Sequence, residues 1–285
     1  MPLFFILSGM VTNPDTPGRI IKSAKRLLLP TLSWNLVHFF ARGFYKQASA
    51  SKYILNFLIR PDSGLWFLWV MFFVIALFVL AKKAEKHIGI ASYPLIAIFL
   101  YVLPVNRYGL DLIKYYLPYL LLGYLYARYK SSWEAKWNIM FVCSLLLYVV
   151  MFTSWHRSAA QAGIDKTNLL HAGVGLITFI WIRYIEGLAG NILVIHTLRV
   201  VGKRLNMRIL ESFGRQSLEI YVCHLTFLEL VQVQGAWAII GVAIAAVMIS
   251  LVVANSLGRV KYLDVILFGR ERLIRHEAIV PLRNM

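Results

Sequence analysis

The chain has 285 residues, of which 59% are apolar and only 15% charged, and its mean hydropathy is +0.66. A soluble chain carries about 25% charged residues, so a water-soluble globular protein is excluded. The net charge of +17 would suggest nucleic acid in a soluble chain; in this composition it reads instead as the basic flanks of membrane helices, with no nucleic-acid partner.

In chain order, residues 1–9 read Met-Pro-Leu-Phe-Phe-Ile-Leu-Ser8-Gly9, apolar from the first position. The polar turn Thr12–Gly18 follows before the roughly 20 apolar residues of a span have accumulated. No basic leader precedes it and no small-residue cleavage site follows. The segment reads as the latter part of a membrane helix, and a helix upstream of residue 1 is expected. Further apolar stretches predict nine helices that span or partly span: 1–12, 27–46, 65–81, 88–105, 112–128, 137–154, 167–185, 209–231 and 236–257. The run 188–208 carries His196 and Arg199 and reads as an amphipathic segment at the cytoplasmic interface. The expected fold is all-α, a polytopic transmembrane helix bundle with about nine spans present of ten. A transmembrane domain would occupy 1–258 and a basic cytoplasmic tail 259–285.

Sidedness follows from the basic residues. With the turn after Gly9 taken as cytoplasmic, 22 of the 30 Lys and Arg residues fall inside and eight outside, the bias that orients membrane proteins. The C-terminus then lies inside. Cys143 and Cys223 both sit in apolar blocks, where cysteine behaves as a small hydrophobe. No disulfide and no metal site is expected.

Polar groups in apolar spans are costly and so mark candidate sites. Lys22-Ser-Ala-Lys25-Arg26-Leu-Leu-Leu-Pro30 is a basic cluster running into a helix. It could grip the phosphates of a nucleotide-bearing cofactor, and it equally fits an ordinary positive-inside flank. Trp66, in Gly64-Leu-Trp-Phe-Leu-Trp69, is an interfacial anchor or a carbohydrate-stacking surface. Ser217, Tyr221 and His224 are spaced i, i+4, i+7 and fall on one helix face. Such a stripe implies a polar cavity, although a histidine in a span also serves as an interhelical hydrogen-bonder. Of the isolated histidines, His38 is the deepest and reads as packing, His171 lies near a helix end, His156 in a loop, and His87 beside a basic turn.

Taken together, these segments resemble acyltransferase family 3, the integral-membrane acyltransferases of glycans and related acceptors. The resemblance rests on Pro2-Leu-Phe-Phe-Ile-Leu-Ser8-Gly9, Arg26-Leu-Leu-Leu-Pro30, Leu65-Trp66-Phe67-Leu68, Leu122-Gly123, Ser217-Leu-Glu-Ile-Tyr221-Val-Cys-His224 and Leu267-Phe268-Gly269, in that order along the chain. It implies a bacterial inner-membrane enzyme that moves an acyl group from cytoplasmic acyl-CoA, usually acetyl-CoA, to a hydroxyl of a polysaccharide, lipopolysaccharide or lipid-linked glycan. Lys22 and Arg26 would bind the coenzyme A phosphates. Ser8, Trp66, Ser217 and Tyr221 would contact substrate, and His224 would act at the reaction centre. The family's main base is a histidine on the first helix, so a chain without that helix is expected to be inactive. One departure concerns the family's basic pair: its first member falls at Ser23, leaving Lys22 or Lys25 to stand in. The lipid bilayer and a glycan acceptor are the expected partners, with glycan-assembly proteins as further candidates. Two rival readings stay open, a glycan or lipid transporter (flippase) and a catalytically dead membrane subunit.

Overall fold

The computed structural model describes residues 1–46, 65–103, 108–152, 174–204, 206–230 and 236–270. His156, His171, residues 47–64 and the residues beyond Arg270 lie outside the described residues. Among the described residues every regular element is helical, and no strand is present. The chain forms two compact units, Met1–Ile21 with Ile54–Ile209, and Lys22–Tyr53 with Leu210–Met285.

The first unit is built on a close pair of helices, α1 (Pro2–Val11) and α6 (Leu110–Arg128). A Cβ added at Gly9 would lie 2.0 Å from the Leu120 carbonyl oxygen, and one at Gly123 would lie 2.1 Å from that of Ile6. Each glycine thus admits the backbone of the other helix. Lipid gives helices no hydrophobic reason to associate, so close approach at small residues is what holds such pairs. Beside the crossing, Phe5 stacks on Tyr116 at 4.4 Å between ring centres, and Tyr116 stacks on Trp66 at 5.7 Å.

Between them in sequence, α4 (Trp66–Ile88) turns through a 3-10 turn at Gly89–Ala91 into α5 (Ser92–Val102). Gly89 has φ +64°, a conformation that glycine adopts without strain. The chain reverses there, and the Trp69 indole N–H reaches the Tyr108 carbonyl at 3.0 Å. At the turn, Glu85 gathers three donors: Lys82 Nζ at 2.9 Å, Tyr93 Oη at 2.6 Å and Arg128 Nη1 at 2.5 Å. One carboxylate therefore ties α4, α5 and α6 together.

Within α6, Pro118 removes the N–H that would bond the Lys114 carbonyl. The Tyr184 hydroxyl, from α9 (Val174–Arg204), lies 3.2 Å from that oxygen and 3.0 Å from the Tyr115 carbonyl. Since Tyr184 donates there, Tyr101 is the donor in the Tyr101–Tyr184 hydroxyl pair. A neighbouring side chain thus satisfies backbone that the proline leaves open, as apolar surroundings require.

Helix α9 corrects the sequence reading. The expected break after residue 185 does not occur; one helix runs from Val174 to Arg204. Tyr184 sits beside the start of α6 and Arg199 beside Tyr126 near its end. Arg183, next to Tyr184, therefore lies nearer the start of α6 than its end. Arg183 and Glu186 pair at 2.9 Å, each only 6% exposed. Their charges depress the local hydropathy, which is why the sequence looked interrupted there. The short α7 (Lys130–Glu134) and α8 (Trp137–Phe152) complete the unit, with Phe141 stacked on His196 at 4.0 Å.

The second unit contains α2 (Arg19–Ser23) from Lys22 onward, a π turn at Ala24–Leu28, α3 (Leu29–Lys46), α10 (Arg208–Arg215) from Leu210, α11 (Ser217–Leu230), α12 (Ala236–Leu257) and α13 (Lys261–Phe268). The expected single span 209–231 is two helices. The first, α10, is amphipathic and exposed; it has the character expected earlier of residues 188–208. The tail also begins differently: α13 is a packed helix in which Asp264 and Phe268 are 2% and 0% exposed.

Three stretches among the described residues are long and apolar enough to cross a membrane: Trp66–Val102, Ile182–Lys203 and Trp237–Leu257. Pro2–Val11 and Trp137–Met151 are apolar but shorter. Apolar side chains stand outward on α8 and α12, with Val150 74% and Val252 63% exposed. Water would not tolerate surfaces of this extent without a partner, and lipid supplies one.

The glycine crossing makes a direct prediction. Gly9→Ala and Gly123→Ala should each cost about 1–3 kcal/mol through overpacking, whereas Gly241→Ala, with open space around it, should be neutral or slightly stabilising. The fraction of monodisperse protein after heating in detergent reads the difference.

Candidate functional site

Five of the seven residues singled out by sequence lie in the second unit, and two, Ser8 and Trp66, lie in the first. In the second unit the basic cluster sits on the π turn. Pro30 cannot donate a backbone hydrogen bond, and just ahead of it Leu29 N–H bonds Ala24 five residues back instead of four. The widened turn leaves Lys22, Lys25 and Arg26 exposed, while Ser23 is buried at 6%. So the position matching the family's first basic member does not face solvent, and the exposed cations are its neighbours.

Behind this turn, α3 is anchored by α13. The Ser33 hydroxyl donates to the Ile266 carbonyl at 2.8 Å, and the Trp34 indole N–H to the Leu267 carbonyl at 2.9 Å. Phe268 packs against Trp34 at 6.4 Å between ring centres. Gly269 has φ +63°, and a Cβ there would lie 2.6 Å from Arg26 Cα. The Leu267-Phe268-Gly269 element is thereby explained, because its glycine lets the chain lie against the backbone of the basic turn.

On α11, Ser217, Tyr221 and His224 are all half-buried, whereas Glu219, Val222 and Cys223 on the other side are buried. The polar stripe is thus the more open face. His224 Nδ1 lies 2.9 Å from the Ile220 carbonyl oxygen. That oxygen only accepts, so the neutral ring carries its hydrogen on Nδ1 and keeps the Nε2 lone pair available. The ring of Tyr221 lies 5.6 Å from that of His224.

Sequence reasoning missed a second polar stripe. Thr31, Asn35 and His38 on α3 repeat the i, i+4, i+7 spacing and are 1%, 8% and 8% exposed. Thr31 donates to the Leu27 carbonyl at 2.7 Å and Asn35 to the Thr31 carbonyl at 2.7 Å. The buried carboxylates Glu219 and Asp264 were also missed. The signal that could have found Glu219 is the cost of a charge in an apolar span.

In the first unit Ser8 is half-buried on α1, and Trp66 already stacks on Tyr116. A cavity of about 420 Å³ lies among Thr12, Asn13, Asp15, Lys82, Tyr124 and Arg128. Its two cations both pair with Glu85, and Asp15 adds a further negative charge. The cavity is therefore close to neutral and poorly suited to gripping phosphate, unlike the exposed cluster around Arg26.

The pattern of the family described as "Acyltransferase domain" matches residues 1–257. The chain belongs to acyltransferase family 3. Two nodulation proteins named NolL are similar to this acyltransferase-family chain. The one from Sinorhizobium fredii is 28% identical over 54% of this chain and 42% of its own length. The one from Mesorhizobium japonicum is 21% identical over 98% of this chain and 82% of its own length. This chain thus spans less than half of the first relative. No solved structure matches.

The Glu85 junction is testable without an assay of function. Replacing Glu85 by Gln should weaken three contacts at once and cost about 1–3 kcal/mol, the range for hydrogen bonds to charged groups. A lowered midpoint for loss of monodisperse protein on heating would show it; an unchanged midpoint would deny the junction its role.

Proposed function

We propose that the protein is a membrane O-acyltransferase that moves an acyl group, acetyl before others, from cytoplasmic acyl-CoA to a hydroxyl of a cell-surface or lipid-linked glycan. The observation that carries this reading is the exposed Lys22–Lys25–Arg26 cluster, held on a π turn in the same unit as the open Ser217–Tyr221–His224 face. The relatives are named nodulation proteins, and that name specifies no acceptor.

In this reading the cations hold the coenzyme A phosphates as charge-assisted hydrogen-bond donors. The acceptor oxygen attacks the thioester carbonyl while a base takes its proton. Ser217 and Tyr221 hydroxyls donate to the tetrahedral oxyanion. Collapse breaks the carbon–sulfur bond, and the departing thiolate receives the proton. His224, through Nε2, is suited to hold or pass that proton near neutral pH. The family resemblance assigns the principal base to a histidine on the family's first helix, and His224 is not that residue. Ser8 and Trp66 are proposed to contact the acceptor.

The proposed setting is the bacterial inner membrane, with about nine crossings in this chain and the C-terminus in the cytoplasm. The contact of Gly269 with Arg26 supports this orientation, because it puts the end of the last span beside the basic turn. The proposed domain division is a transmembrane acyltransferase domain followed by a basic tail.

Arg26→Ala should raise the KM for acyl-CoA by about 10- to 100-fold, the equivalent of one lost charged hydrogen bond, with kcat little changed. His224→Ala should instead lower kcat. Steady-state transfer of labelled acyl groups in membranes separates the two, and unchanged KM in Arg26→Ala would remove the donor site from this turn.

A further inference from the structure

Glu219 lies on α11 about 140–160° round the helix from Ser217, Tyr221 and His224, at 3.6 residues per turn. It is 3% exposed, and its Oε1 accepts from Arg270 Nε at 2.7 Å. The same guanidinium lies 3.6 Å, through Nη1, from Oδ1 of Asp264, which is 2% exposed. Arg270 directly follows Gly269, the residue pressed against the backbone of Arg26. One side chain therefore joins three things: the buried back of α11, the buried acid of α13, and the strand of chain that seats the basic turn. None of this lies within residues 1–257, the part matched by the family pattern, except Glu219 and Arg26 themselves.

The electrostatics favour a device over a chance contact. A lone buried carboxylate is strongly disfavoured in apolar surroundings, and two such groups here share one cation. Arg supplies donors in a fixed planar fork, so the Nε bond to Glu219 keeps Nη1 turned toward Asp264 at ion-pair distance; Lys, a point charge on a flexible stem, does not fix that direction. Fixing Glu219 inward fixes the rotation of α11, which leaves the opposite face, with Ser217, Tyr221 and His224, on the open side.

We propose that Arg270 is a positioning residue for acyl transfer: by pairing with Glu219 and Asp264 it sets the rotation of α11 and registers that helix against the Arg26 turn. The functional half rests on the acyltransferase reading above; the rotational half does not.

The test uses the full-length chain in membranes, with Cys143→Ser removing the exposed thiol so that buried Cys223, on the clamped face, reports alone. N-ethylmaleimide should label Cys223 slowly in this background and at least ten-fold faster in Arg270→Ala. In Arg270→Lys, which keeps the charge but loses the fork, the rate should be intermediate. Size-exclusion chromatography identifies any variant that has simply unfolded, and Glu219→Gln, which removes the buried charge while keeping shape, supplies a second route to the loosened helix. For transfer, Arg270→Ala should lower kcat by at least ten-fold with the KM for acyl-CoA nearly constant, and Arg270→Lys should recover part of it. Unchanged Cys223 labelling in folded Arg270→Ala and Glu219→Gln would overturn the clamp. Faster labelling together with unchanged kcat would overturn its role in transfer. A parent protein supplied with the family's first-helix histidine that labels as expected but transfers no acyl group would refute the acyltransferase reading and leave the clamp standing.

Discussion

Helices in lipid have no hydrophobic force between them, so their association depends on how closely the backbones can approach. Both units of this protein solve that problem with glycine. In the first, Gly9 and Gly123 admit each other's helices at a distance where no Cβ would fit. In the second, Gly269 does the same against the turn that carries Arg26. The short glycine-bearing elements of the sequence are contact points first. Their link to chemistry is that the contacts fix where the polar residues stand.

The remaining polar groups follow from the cost of leaving them unpaired. Glu85 is held by Lys82, Tyr93 and Arg128; Arg183 by Glu186; Glu219 and Asp264 by Arg270. Pro118 frees backbone carbonyls, and Tyr184 turns its hydroxyl onto them. Apart from Lys82–Glu85 and Arg183–Glu186, each within one helix, these pairings join different elements. Lys22, Lys25 and Arg26 stand close together in sequence and exposed, which brings several positive charges to one turn.

Much of this was legible in the chain. Apolar blocks located the helices, and the spacing of Ser217, Tyr221 and His224 correctly placed them on one face. The helix Val174–Arg204 was not legible, because its hydropathy is lowered by Arg183 and Glu186, which pair with each other, and by His196 and Arg199, whose partners Phe141, Tyr126 and Glu134 lie on other helices. The division at Gln216 falls in the polar stretch Gly214-Arg215-Gln216-Ser217, after an amphipathic α10, and a reading of 209–231 as one span passes over it. The packed α13 was hidden too. Its charges suggested a solvated tail, and nothing local shows that Asp264 and Arg270 turn inward. The role of Gly269 needs the distant backbone of Arg26 and cannot be read from neighbours in sequence.

We propose that an acyl group passes from coenzyme A on the cytoplasmic face to a glycan hydroxyl. The most direct measurement presents radiolabelled acetyl-CoA and succinyl-CoA, which do not cross bilayers, to inside-out and right-side-out vesicles containing the protein in its native membrane, and counts ester-linked label on glycan. Protein-dependent ester label is expected in inside-out vesicles and none in right-side-out ones. Protein-dependent movement of glycan with no ester label in either orientation would contradict it and point to a transporter.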